Sequence, residues 1–188
     1  MRRPWLCLLL ALSGCAPSLH PQLVRIEIPA RQPHPLLILP LEDRNAVTGS
    51  LEDYDNAERS LREVLGGRLA AKGIALVPVP LVDSLTRALH PEGRLVWTRA
   101  GAAEMAERLG CRYVLFGTLK SYARGSLLGA STRLAWELEL MDAATQHPLA
   151  HVSLDLRGAQ DDPFRLLMES ADESAATLLK AWEDCPER

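Results

Sequence analysis

In TRLAWELELMD, residues 132 to 142, Leu134, Trp136, Leu138 and Leu140 alternate with Arg133, Glu137 and Glu139. That period predicts a strand with one face on the core and one wet. PLAHVSLDLR, residues 148 to 157, repeats the pattern with Ala150, Val152, Leu154 and Leu156 inward, and the link DAATQH is of hairpin length. RYVLFGTLKSYA, 112 to 123, reads as one long strand. LLILPL, 36 to 41, is a continuous apolar run of strand length and suits a strand covered on both faces. IALVPV, 74 to 79, reads as a second buried strand. LVRIEI, 23 to 28, sets Val24, Ile26 and Ile28 against Arg25 and Glu27, the pattern of a short edge strand.

Elsewhere the apolar period lengthens to that of a helix. D-N-A-E at 55 to 58 resembles a capping box, after which Ala57, Leu61, Val64, Leu65 and Leu69 recur at helical spacing until Gly73 closes the turn. Pro80 to Leu89 predicts a short helix, broken by HPEGRLVW. Thr98 caps another that ends at Gly110. Asp162 and Pro163 start the last, with Phe164, Leu167, Met168, Ala171, Ala175, Leu178, Leu179 and Trp182 on one stripe. The expected fold is a single α/β (α+β) domain over residues 23–184. Its order is β-β-α-β-α-β-β-β-α, a mixed sheet with helices mainly on one face.

The first residues follow neither pattern. The apolar run Trp5 to Leu12 is too short for a bilayer, which needs about 20 residues. Arg2 and Arg3 precede it, and Ser13 and Gly14 stand before Cys15, as in a secretory signal. LSGC, 12 to 15, resembles the lipobox of bacterial lipoproteins. The resemblance implies that residues 1–14 are a removed signal peptide and that Cys15 is lipidated, by palmitate and similar acyl chains, at the new amino terminus. Ala16, rather than Asp, resembles the outer-membrane class. Residues 15–22 then read as a lipidated tether, inside a proline-rich stretch running to residue 35. The expected location is the outer membrane, facing the periplasm.

Charge changes the picture in one respect. The chain has 21 basic and 24 acidic residues; losing Arg2 and Arg3 leaves 19 basic, a net charge of −5. No basic stripe appears, so nucleic acid is not an expected partner. Of the cysteines, Cys7 leaves with the signal and Cys15 carries lipid. Cys111 and Cys185 remain for a compartment where disulfides persist. If the strand at 112 runs up the sheet, the last helix descends and ends beside its lower end, so a Cys111–Cys185 bridge is expected, contributing about 4 kcal/mol.

The sequence holds no phosphate-loop, nucleophile-elbow, zinc-protease or dinucleotide motif, so no catalytic residue, metal or cofactor is assigned. His147 and His151 share a strand face, and so do Glu137 and Glu139; both pairs read as solvated positions. The run EDRN, 42 to 45, reads first as a polar turn, although it sits at the carboxyl end of an expected parallel strand, where open sheets bind ligands. Leu127 and Leu128 lie at a predicted hairpin tip and Trp97 just before a predicted helix start, and the three are expected to form an apolar contact with a partner.

VRIEI and LLILPLED, then RLGCRYVLFGTL and LELMDAATQHPLA, resemble the amino-terminal domain of TolB and TolB-like modules over nearly the whole mature chain. Small lipoproteins built from this module resemble it further: the Pel polysaccharide-export lipoprotein, the penicillin-binding-protein activators and CsgG relatives. The resemblance implies a periplasmic scaffold or adaptor for envelope assembly or polymer secretion, partnered by an envelope protein or a homo-oligomer, and not an enzyme. The alternative is a glycan-acting periplasmic enzyme using Glu137, Glu139 or Asp43.

Overall fold

Residues 35–44, 57–92, 95–125, 131–159 and 163–183 are described by the structure, a computed structural model. The expected edge strand at 23–28 and the capping box at 55–58, up to Asn56, lie outside them.

The sheet is mixed. Strands β1 (Leu36–Ile38) and β2 (Glu42–Asp43) run parallel to β3 (Tyr113–Gly125), which continues antiparallel into β4 (Ser131–Asp142) and β5 (His147–Ala159). Four helices complete the order: α1 (Ala57–Ala71), α2 (Val79–Leu89), α3 (Arg99–Arg108) and α4 (Pro163–Glu183). The two long helices, α1 and α4, share one face. Their Leu61, Leu65, Leu69, Leu167, Ala171, Ala175 and Leu178 pack on Leu36, Ile38, Leu115, Leu119, Trp136, Leu138 and Leu140. The shorter α2 and α3 cover part of the opposite face, where Val82, Ala102, Met105 and Ala106 meet Leu37, Leu39, Val114, Phe116 and Met141. The run at 36–41 is therefore buried from both sides, as its unbroken apolarity requires.

Two predicted strands differ from expectation. Residues 36–41 form β1 and then leave the ladder before β2, because Pro40 has no N–H to donate. Leu39 N–H still donates to the Leu115 carbonyl at 2.9 Å. Residues 74–79 make only a single parallel bridge, Leu76 with Leu36, rather than a strand. Pro78 and Pro80 remove donors, and α2 begins at Val79. Ile74 and Val77 are nonetheless buried, so the apolar signal reported burial correctly and element type wrongly.

The helix ends follow the sequence closely. Thr98 Oγ1 accepts from Gly101 N–H at 3.1 Å, capping α3, and Gly110 closes it at φ +65°, a backbone that side chains with a Cβ disfavour. In the β4–β5 turn, Asp142 accepts from the N–H groups of Ala144 and Thr145 at 2.9 and 3.2 Å. At this same end of the sheet Trp182 meets Tyr113 edge-on, ring centroids 5.0 Å apart, so α4 ends beside the start of β3.

Candidate functional site

Where α2 and α3 stop, the second face of the sheet turns polar. β4 supplies Arg133, Glu137 and Glu139, and β5 supplies His151, Ser153 and Asp155, at the outward positions of the alternation. β3 adds Thr118 and Lys120, and β2 adds Glu42. Charges of opposite sign are set against one another across the strands. Arg99, at the start of α3, donates Nε and Nη2 to the two Glu139 carboxylate oxygens at 2.7 and 3.0 Å. Lys120 pairs with Glu137, and Arg133 with Asp155 at 3.1 Å. Glu42 accepts from Arg44 Nε at 2.8 Å and from the Thr118 hydroxyl at 3.3 Å.

These pairings fix what the carboxylates can do. The hydrogen bond from Lys120, with the nearby His151 and Arg44, holds the Glu137 carboxyl below the usual range. A carboxylate so held keeps its charge at neutral pH and donates no proton. Glu58, in the first turn of α1, behaves oppositely: burial pushes its carboxyl up, and the charge of Asp43 adds to the effect.

A half-open cavity of about 110 Å³ lies within this face, lined by Trp97, Phe116, Gly117, Thr118, Glu137, Leu138, Glu139 and His151. Small-molecule sites usually enclose roughly 300 Å³ or more, so this one admits a few atoms of a ligand at most. Gly117 forms its floor: a Cβ there would collide with the Glu137 carbonyl oxygen and stand 2.9 Å from a Leu138 methyl. Among the described residues, no three of His, Cys, Asp and Glu converge as a metal would need.

The residues singled out from the sequence are placed as follows. Glu137 and Glu139 share the open face but each is tied to its own cation. His151 lies opposite Glu139 in the ladder, while His147 lies at the far end against Asp142, so the two histidines are not brought together. Asp43 is exposed on β2. Trp97 stands just before α3, as expected, and is half-buried. Its indole N–H donates to the Pro40 carbonyl at 2.7 Å, and its ring meets His90 edge-on at 5.5 Å. It sits over Phe116 to Thr118, and β3 runs seven residues further, about 23 Å at 3.3 Å each. Leu127 and Leu128 lie outside the described residues, as do Cys15 and Cys185. Cys111 is buried on the α2–α3 face, with no disulfide partner among the described residues. Burial pushes its thiol up to about 11.

Arg44 belongs to the run at 42–45 singled out from the sequence, but its place beside Glu137 and the membership of Lys120 and Arg99 in this array were not foreseen. They reach the acidic pair from another strand, from α3 and from the residue after β2, and no local period marks such neighbours.

No protein-family model matches the sequence, and no curated protein matches it. Solved structures share the fold. The PelC dodecamer of Paraburkholderia phytofirmans superposes with a TM-score of 0.54 at 15% identity, over 78% of this chain and 87% of that one. Lipoprotein GNA1162 from Neisseria meningitidis gives 0.55 at 16% identity, over 79% and 99%. The hypothetical protein CT253 from Chlamydia trachomatis gives 0.51 at 13%, over 79% and 96%.

Proposed function

We propose that this chain is a lipid-anchored outer-membrane protein, facing the periplasm, that works as a non-catalytic scaffold or adaptor in envelope assembly or polymer export. The observation that carries the reading is L-S-G-C at residues 12 to 15, joined to a fold shared with a protein solved as a lipoprotein and with one solved as a dodecamer. The resemblance to the Pel-export lipoprotein is supported by that fold; the TolB and CsgG likenesses rest on strand patterns alone. Its partners are the membrane, through acylated Cys15, and an envelope protein or further copies of itself.

The open face supports the same reading. Its acids are matched by bases, which suits a surface that stays charged and solvated or meets another charged surface. The glycan-enzyme alternative needs a carboxyl poised to donate a proton, and Glu137 is held in the opposite sense. The experiment is a pair of assays. Photo-crosslinking from the open face in intact cells should capture a defined envelope partner or another copy. Purified protein offered envelope glycans should give no turnover; turnover abolished by Glu137→Gln would sink the scaffold reading.

A further inference from the structure

Strand β5 is the sheet's edge. Twelve of its thirteen residues pair with β4 on one side, Leu149 being skipped, and no described residue pairs with the other. Such an edge presents a row of backbone donors and acceptors that templates another strand. The usual defences are slight here. The single irregularity in the β4–β5 register falls between Leu140 and Met141, opposite the start of β5. Pro148 stands at that same end. From Ala150 to Ala159 the ladder is regular.

We propose that β5 pairs antiparallel with β5 of a second copy, about a two-fold axis through Ser153, joining two five-stranded sheets into one. Three observations select this occupant and register. First, the faces must match. Ala150, Val152 and Leu154 pack toward α4, while His151, Ser153 and Asp155 are exposed on the open face. An antiparallel self-pair keeps both apolar sets on one side only when even positions oppose even and odd oppose odd. Second, Ser153 is the midpoint of β5, so the axis there gives the fullest overlap of the two strands. Third, that register sets His151 opposite Asp155 of the second copy, twice. Moving the axis to His151 or Asp155 would oppose like residues. Moving it to Val152 or Leu154 loses both cross-pairs. Asp155 keeps its interactions within its own chain, the bond to Arg133 among them, and half of its side chain is exposed on the open face where the second copy's imidazole would stand. Pro148 falls opposite Gly158 at the ladder's end, where a missing donor costs least.

The proposal goes beyond the scaffold reading and needs neither the lipid nor an export role. The test uses the full chain, purified in detergent and oxidised mildly. Directly opposed strand residues have Cβ atoms about 4.5–5.5 Å apart, close to disulfide range. Ser153→Cys should therefore give a reducible dimer well above the unsubstituted chain. His151→Cys should not, since its counterpart lies four positions away, about 13 Å. No dimer from Ser153→Cys, an equal dimer from His151→Cys, or a link to a different protein overturns the proposal. Charge gives an independent check. His151→Asp and Asp155→His each oppose like side chains and should weaken self-association roughly tenfold. Mixed together, the two variants face each other with complementary residues and should associate as tightly as the original chain. A mixture no tighter than either variant alone overturns the proposed register.

Discussion

Arg62 extends from α1 into the interior, where its Nε and Nη2 donate to the Ile38 carbonyl at 3.2 and 2.8 Å and its Nη1 donates to Asp83 of α2. One side chain thus ties β1 to helices on both faces of the sheet. Arg62→Met would leave the carbonyl without its donor and Asp83 without its cation. We expect a loss of about 3 kcal/mol in urea unfolding, the low end for a broken buried pair because Asp83 is 31% exposed. Asp142 gives a prediction in pH. Burial works to raise its carboxyl, but hydrogen bonds from Arg112 and from the Thr145 and Ala144 N–H groups outweigh it and hold the group low. The unfolded carboxyl, at about 3.9, takes a proton first as pH falls. This contribution is therefore present above that value and lost as pH falls toward the folded one. Urea midpoints between about pH 3 and pH 6 should show the loss, and Asp142→Asn should flatten it. The Cys111–Cys185 bridge stands as a proposal: α4 ends beside β3, and the tail would have to reach a thiol on the opposite face. Intact mass two hydrogens lighter without reductant supports it; an unchanged mass removes it.

At the scale of elements, strand meander and helices were legible because each buries one face. The alternation of β4 and the stripe of α4 predicted which residues are inside, and Leu134, Trp136, Leu138, Leu167 and Leu178 are all buried. Residues 74 to 79 were misread because an apolar run reports burial whether or not a ladder forms, and two prolines prevented the ladder. The array on the open face was legible by half. Glu137 and Glu139 were placed outward, but their partners depend on how β3 and α3 meet β4, which only the tertiary register decides. Two changes test the hairpin elements. Gln146 closes the β4–β5 turn at φ 55°, in the left-handed region. Gln146→Gly relieves that conformation and should raise stability by up to about 1 kcal/mol, read as a higher melting temperature. Gly117→Ala should act in the other direction, by about 2 kcal/mol or more, because β3 and β4 approach too closely there for a Cβ. Equal melting curves for this variant and the original chain would mean that the approach is looser than described.

At the largest scale, the described residues form a sheet with two long helices on one face and two shorter ones on part of the other, and among them the charged remainder of that second face carries no helix. No described helix is long and apolar enough to cross a membrane, so the proposed attachment rests on Cys15. Charge argues that lipid, not electrostatic adsorption, would hold the protein there. Without residues 1–14, as proposed, the chain would carry 19 basic residues against 24 acidic, a balance unsuited to binding an anionic surface. Each buried acyl CH₂ contributes about 0.8 kcal/mol, so two or more chains give an anchor that salt does not weaken. The native protein should therefore stay with outer membranes through high-salt and carbonate washes and leave only in detergent. Cys15→Ser should appear as unprocessed precursor or as soluble periplasmic protein with the same melting temperature, since the core of the described residues lies far along the chain from the anchor. If Cys15→Ser still sediments with membranes after high salt, another contact holds the protein. In that case the lipobox reading fails while the fold and the β5 edge stand.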